Sequence, residues 1–141
     1  MMLQDIATFV NSRSSFNYRG HRKVLFIDDE PHMTSLFKRL TESIGFTVDV
    51  FNDATQTLKN FKPCFYDLVI LDIVMPKMNG YDLYKELKKR DPHVNVCFIT
   101  ASEEYREDLR KEEYRTLNKD LFLRKPMPMK SLLAEINKRI K

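Results

Sequence analysis

Cysteine and histidine are scarce in this chain. Its two cysteines, Cys64 and Cys97, are too few for a disulfide framework and sit in no metal-ligand spacing, and the three scattered histidines, His21, His32 and His93, add none. Cys97 lies inside the run Val94-Asn95-Val96-Cys97-Phe98-Ile99, where a thiol behaves as a small buried hydrophobe, and a reducing cytosol fits that usage. Long apolar runs are missing too. No stretch approaches the roughly 20 residues that span a bilayer, and the N-terminus lacks the core of a signal peptide. The expectation is a soluble, cytoplasmic chain with no membrane insertion. A formal charge of +4 and a pI near 9.0 invite a nucleic-acid reading, but concentrated positive charge is also absent. Lys85, Lys88, Lys89 and Arg90, like Lys130, Lys138, Arg139 and Lys141, alternate with apolar positions as solvated helix faces do. Without a helix-turn-helix, zinc-finger or aromatic RNA-binding signature, no direct nucleic-acid binding is expected.

What is present points to one compact domain. With 43% hydrophobic and 31% charged residues over 141 positions, the chain is long enough to bury a real core. Apolar periodicity switches between strand-like and helix-like spacing five times. Strands are predicted near residues 23–27, 46–51, 67–71, 94–99 and 119–123. Met33, Leu36, Phe37, Leu40 and Ile44 follow helical spacing between the first two, with Pro31 suited to a first turn and Gly45 to the close. Asp53 opens a shorter helix bearing Leu58 and Phe61, with Gln56 placed as in a capping box. Gly80 precedes a helix carrying Tyr84 and Leu87 that Asp91-Pro92 stops. A fourth helix over 102–114, with only Tyr105, Leu109 and Tyr114 to anchor it, is either a movable element or an ordinary exposed helix held by charge pairs. The last helix shows Leu132, Leu133, Ile136 and Ile140. Such βα alternation implies an α/β fold, a doubly wound five-stranded parallel sheet of the (βα)5 kind. Residues 1–21 stand outside the repeat as an N-terminal extension, flexible or loosely docked, because so short a helix is marginal alone.

Acidic residues mark the strand ends. Asp28 and Asp29 directly follow Val24-Leu25-Phe26-Ile27, and Asp72 follows Leu68-Val69-Ile70-Leu71. In an open parallel sheet, ligands gather beyond the carboxyl ends of strands. Carboxylates crowded there resist full ionisation, so they call for a cation, and hard oxygen donors point to Mg2+. Lys125, after Leu121-Phe122-Leu123, supplies a compact positive charge to the same place. Taken singly, each acid also reads as a helix cap or turn residue.

These residues carry a resemblance. Ile27-Asp28-Asp29-Glu30-Pro31, Asp72-Ile73-Val74-Met75-Pro76-Lys77-Met78-Asn79-Gly80, Ile99-Thr100-Ala101-Ser102 and Lys125-Pro126, in this order and at these intervals, resemble the receiver domain of two-component response regulators. The resemblance covers about 120 residues, 22–141, and implies a flavodoxin-like fold. It further implies that Asp72 accepts a phosphoryl group from a histidine kinase or phosphotransfer protein. Mg2+ would then be held by Asp28, Asp29, Asp72 and the carbonyl of Val74, with Thr100 and Lys125 gripping phosphoryl oxygens. Phe122 resembles the family's rotamer switch, acting with Thr100, and Pro126 follows a cis bond by the same resemblance. Without it, Thr100 reads as a polar strand end, Phe122 as core and Lys125 as a surface lysine.

The implied function is a phosphorylation-dependent switch that signals to an unidentified protein target through the fourth helix, last strand and last helix. Nothing follows the last helix, so a stand-alone regulator without an output domain is expected, with a phosphorylation-dependent homodimer as one form of partnership. It would catalyse only its own phosphorylation and dephosphorylation. The alternatives are a phosphorelay carrier, a metal-dependent hydrolase with an aspartyl nucleophile, and a flavin module of similar topology. The hydrolase group typically has Asp-x-Asp after its first strand, where this chain has Asp28-Asp29-Glu30. A flavin site needs a hydroxyl- or glycine-rich phosphate loop there, and acids would repel the phosphate. Two positions depart from the family's habit: position 74, often polar in the family, is Val here, and position 102 is Ser rather than a larger side chain.

Overall fold

The structure, a computed structural model, describes residues 22–101, 117, 119–125 and 127–140. Strands β1 (Lys23–Ile27), β2 (Thr47–Phe51), β3 (Leu68–Asp72), β4 (Val96–Ala101) and β5 (Phe122–Lys125) alternate with helices α1 (Pro31–Ser43), α2 (Ala54–Asn60), α3 (Gly80–Arg90) and a C-terminal helix, Met129–Arg139. They form one parallel sheet in the order β2-β1-β3-β4-β5. The fold is therefore the expected α/β, flavodoxin-like, doubly wound five-stranded sheet. The expected fourth helix over 102–114, the extension over 1–21, Ser102 and the Pro126 bond lie outside the described residues.

Side-chain alternation along the strands divides the core into two layers. Val24, Phe26, Leu68 and Ile70 face α1 and the C-terminal helix, where Phe37, Leu40, Leu132 and Ile136 meet them. Leu25, Ile27, Val69 and Leu71 face α2 and α3, meeting Ala54, Phe61, Leu83 and Leu87. Both faces of β3 are covered, and all five of its residues are buried. That is why it reads as an unbroken apolar run.

Three expectations need correction. Strand β4 begins at Val96 rather than 94, because Val94 donates its N–H to Asp91 O at 3.0 Å in the turn after α3. Strand β5 begins at Phe122 rather than 119, because Lys119–Leu121 form a 3-10 turn. In both places apolar residues report burial, whereas only ladder pairing makes a strand. In α1, Leu36 is 47% exposed, and Thr34 and Thr41 are buried beside Phe37 and Leu40. The inward stripe of α1 is thus partly made of threonine, which hydropathy spacing does not register.

The caps lie close to where the sequence put them. The Asp53 carboxylate accepts from Gln56 N at 2.7 Å. Asn79, not Gly80, caps α3, its Oδ1 accepting from Asp82 N at 2.9 Å; Gly80 is the first helical residue. Its lack of a side chain matters, since a Cβ there would lie 2.5 Å from Asp72 O and 2.8 Å from Ile73 Cα. The N-terminus of α3 therefore rests directly on the end of β3, and Gly80 N donates to Ile73 O at 2.7 Å. No helix of the described residues is long and apolar enough to cross a membrane.

Candidate functional site

Strand register assembles the site. Ile27 of β1 pairs with Leu71 of β3, so Asp28 and Asp72, each the next residue, emerge side by side at the carboxyl edge. The chain passes from β1 to β2 on one side and returns to β3 on the other, which makes this edge the point where winding reverses and ligands collect. Carboxylate oxygens of Asp28, Asp29 and Asp72 lie within 4.8 Å of one another. Asp28 and Asp72 are buried and Asp29 is exposed. On the far side, Ala101 of β4 pairs with Lys125 of β5, and the Lys125 ammonium reaches back to Asp28 Oδ2 at 2.7 Å and Asp72 Oδ2 at 3.6 Å.

Local hydrogen bonds hold the acids in place. Asp28 N donates to Phe51 O at 3.2 Å, and Glu30 N donates to Asp28 Oδ1 at 3.0 Å. Val74 N donates to Asp72 Oδ1 at 3.2 Å, which leaves Asp72 Oδ2 to the lysine. Lys77, in the loop between β3 and α3, has φ 72°, a left-handed turn residue that helps the chain double back toward Gly80. Asn52, just past β2, donates to Asp28 O at 2.9 Å and to Thr34 Oγ1 at 2.8 Å.

The electrostatics follow from burial. Desolvation pushes the Asp72 carboxyl up to about 7; Lys125 and the Val74 N–H pull it down, while Asp28 and Asp29 push it further up. Burial also works against the charge on Lys125, but its hydrogen bond to Asp28 and the charges of Asp72 and Asp28 outweigh that and hold the ammonium above its ordinary range. Three carboxyl groups share one ammonium, so ionising all three would leave excess negative charge beside it. An oxygen-only donor set of this kind fits a small divalent cation such as Mg2+.

Thr100 is fully buried and follows Ile99, the register partner of Asp72. Phe122 is 8% exposed, stacks on Phe98 at 5.2 Å, and belongs to the layer facing α2 and α3. The Val74 side chain is 43% exposed. Of the residues expected from the sequence, Asp28, Asp29, Asp72 and Lys125 therefore form one cluster. Thr100 and Val74 flank it by chain position, and Phe122 lies in the core three residues before Lys125. Asn52, Thr34 and the close approach of Gly80 were not legible in the sequence: polar residues at a strand end and in a first turn look like any other turn chemistry.

Known proteins resemble this chain in sequence and in overall fold. The profile of the response regulator receiver domain matches residues 24–137. The aerobic respiration control sensor protein ArcB of Escherichia coli is 35% identical over 116 residues, covering 82% of this chain and 15% of that protein. The transcriptional regulatory protein CpxR homolog of Haemophilus influenzae is 35% identical over 114 residues, covering 81% of this chain and 48% of that protein. The chain thus spans half or less of the length of these curated relatives. Among solved structures, a response regulator receiver domain protein from Clostridium thermocellum is 32% identical with a TM-score of 0.70, covering 84% of this chain and 94% of that one. The response regulator TrrA from Thermotoga maritima, solved in complex with Mg2+ and BeF, is 29% identical with a TM-score of 0.68, covering 84% and 98%. Receiver domains are signalling modules of two-component systems that interact with histidine kinases and downstream effectors. With its sequence matching the family model over residues 24–137 and its fold matching that of a solved receiver domain, this chain belongs to the response regulator receiver domain family.

Proposed function

We propose that Asp72 accepts a phosphoryl group from a histidine kinase or phosphotransfer protein and that the chain signals its phosphorylation state to a protein partner. The observation that carries this is the meeting of Asp72 with Asp28, Asp29 and Lys125 at one sheet edge. A carboxylate is a poor nucleophile toward an anionic phosphoryl group until fixed positive charge offsets the repulsion between them. Asp28, Asp29 and Asp72, with the Val74 carbonyl, are the groups that would hold Mg2+, as the TrrA complex suggests. Bound there, the ion would supply charge neutralisation for both the nucleophile and the phosphoryl oxygens.

The chain's own residues do the rest. Val74 N and the peptide held by Gly80 orient the Asp72 carboxylate. An oxygen of Asp72 attacks phosphorus as the bond to the donor histidine nitrogen breaks, its electron pair returning to the imidazole. Lys125, already 3.6 Å from Asp72, meets the charge that arrives with the phosphoryl group. Thr100 donates its hydroxyl hydrogen to a phosphoryl oxygen, and the space it leaves is filled by Phe122. Because Phe122 has no hydroxyl, that movement strands no buried donor. The signal emerges on the surface that includes β5 and the C-terminal helix, where a protein partner would read it.

The test is phosphorylation of the purified chain by acetyl phosphate. Wild type takes up one phosphoryl group in an acid-stable, base-labile form that requires Mg2+, and Asp72→Asn takes up none. Undiminished uptake by that variant sinks the assignment, and sustained turnover of a phosphate ester by wild type favours the hydrolase reading instead.

A further inference from the structure

We infer that Asn52 is a positioning residue for the acidic site: it sets the affinity for the divalent cation without touching it. The inference rests on reading Asp28, Asp29 and Asp72 as a Mg2+ site. The Asn52 amide nitrogen has two hydrogens, and both are committed. One goes to Asp28 O at 2.9 Å and the other to Thr34 Oγ1 at 2.8 Å. Thr34, 2% exposed, passes the connection on by donating to Pro31 O at 3.1 Å. A single side chain from the end of β2 thereby ties the end of β1 to the first turn of α1, gripping the Asp28-Asp29-Glu30 turn from both sides.

The carbonyl of Asp28 belongs to the peptide that joins Asp28 to Asp29. Holding that oxygen fixes the peptide plane, and so the direction in which the next Cα presents its carboxylate. Asp29 is the member that needs this. Asp28 is fully buried and bonded to Lys125 and Glu30 N, and Asp72 is bonded to Val74 N, but Asp29 is exposed. Its approach to the other two acids is governed by its backbone. Outer groups that orient ligands in this way typically change metal affinity by about 10- to 100-fold when removed.

Titration calorimetry with MgCl2 alone, on the full chain, tests this. Asn52→Leu keeps the approximate volume and removes the donors, and should raise the Mg2+ dissociation constant by about tenfold. Thr34→Val removes the second link and should raise it by a smaller factor. Asp53→Ala, which removes the neighbouring cap of α2, should lower the melting temperature and leave Mg2+ affinity unchanged. In acetyl phosphate assays, Asn52→Leu should need about tenfold more Mg2+ for half-maximal rate yet reach the wild-type plateau, because the reacting groups themselves are intact. Should Asn52→Leu fail to fold, Thr34→Val decides. Wild-type Mg2+ affinity in the folded variant, or an equal loss in Asp53→Ala, overturns the positioning role while leaving the phosphorylation reading intact. No Mg2+ binding by wild type overturns the reading of the acids and this inference with it.

Discussion

With its carboxyl buried and pushed up to about 7, Asp72 keeps a proton in the folded chain at pH values where the unfolded chain, at 3.8, has released it. Between those values the folded state binds more protons than the unfolded one, so the stability associated with Asp72 falls as pH rises through that window. It is fully present below about pH 4 and gone above about pH 7. In chelator, Asp72→Asn should therefore be more stable than wild type at pH 8, by on the order of 4 kcal/mol, and equal to it near pH 4. Urea melts across that range check this, and a variant no more stable at pH 8 refutes it. Added Mg2+ should stabilise wild type by mass action and the variant much less. At position 74 the exposed valine side chain offers no hydrogen bond to a water attacking the acyl phosphate. Val74→Asn should shorten the phosphorylated lifetime about tenfold, which is about 1.4 kcal/mol of barrier. Loss of phosphate no faster than wild type in the same buffer would show that water is not positioned from this side.

Helices α1 and α3 hold the site through packing that their sequences only half disclose. In α1, Thr41 is fully buried and its hydroxyl has no hydrogen-bond partner among the described residues. Replacing a stranded hydroxyl by a methyl of the same shape removes a desolvation cost. Thr41→Val should raise stability by about 1 kcal/mol, read as a higher urea midpoint at unchanged slope, and a lower midpoint would mean the hydroxyl has a role in the folded chain. Gly80→Ala should do the opposite. Its methyl meets backbone atoms of Asp72 and Ile73 at 2.5 and 2.8 Å, which cannot rotate aside, so α3 must lift from β3. A loss of about 1–3 kcal/mol is expected, with slower uptake of phosphate because the Asp72 peptide moves too; wild-type rates in that variant would show that α3 does not position Asp72. Cap residues such as Asp53, and the stop at Asp91-Pro92, were legible because they depend on neighbours within four positions. The starts of β4 and β5 were not, because they depend on which distant backbone is available to pair.

Across the whole molecule, the proposed switch has to carry a local charge change at Asp72 to the surface bearing β5 and the C-terminal helix. Strand β4 is the route the sheet offers. Ile99 is in register with Asp72, and Phe98 on the opposite face stacks on Phe122 of β5. Adding beryllofluoride and Mg2+ should therefore shift amide resonances throughout residues 100–125, as expected for a two-state element biased by its ligand. Shifts confined to the surroundings of Asp72 would instead favour a phosphoryl carrier. By itself the sequence determined the βα alternation, the two-faced burial of the strands and the types of residue at their ends, because these follow from periodicity and from chemistry confined to short stretches. It also grouped Asp28, Asp29, Asp72 and Lys125 at one edge, since a parallel sheet puts all its carboxyl ends on one side. Only the tertiary structure decided that β1 and β3 are neighbours, which turns acids 44 residues apart into one cluster. It alone decided, too, that Lys125 bonds Asp28 more closely than Asp72, that Gly80 has no room for a side chain against the Asp72 backbone, and that Asn52 grips the acidic turn. Those contacts join residues with no sequence relation to one another, and they exist only once the strand order has brought their backbones within hydrogen-bonding reach.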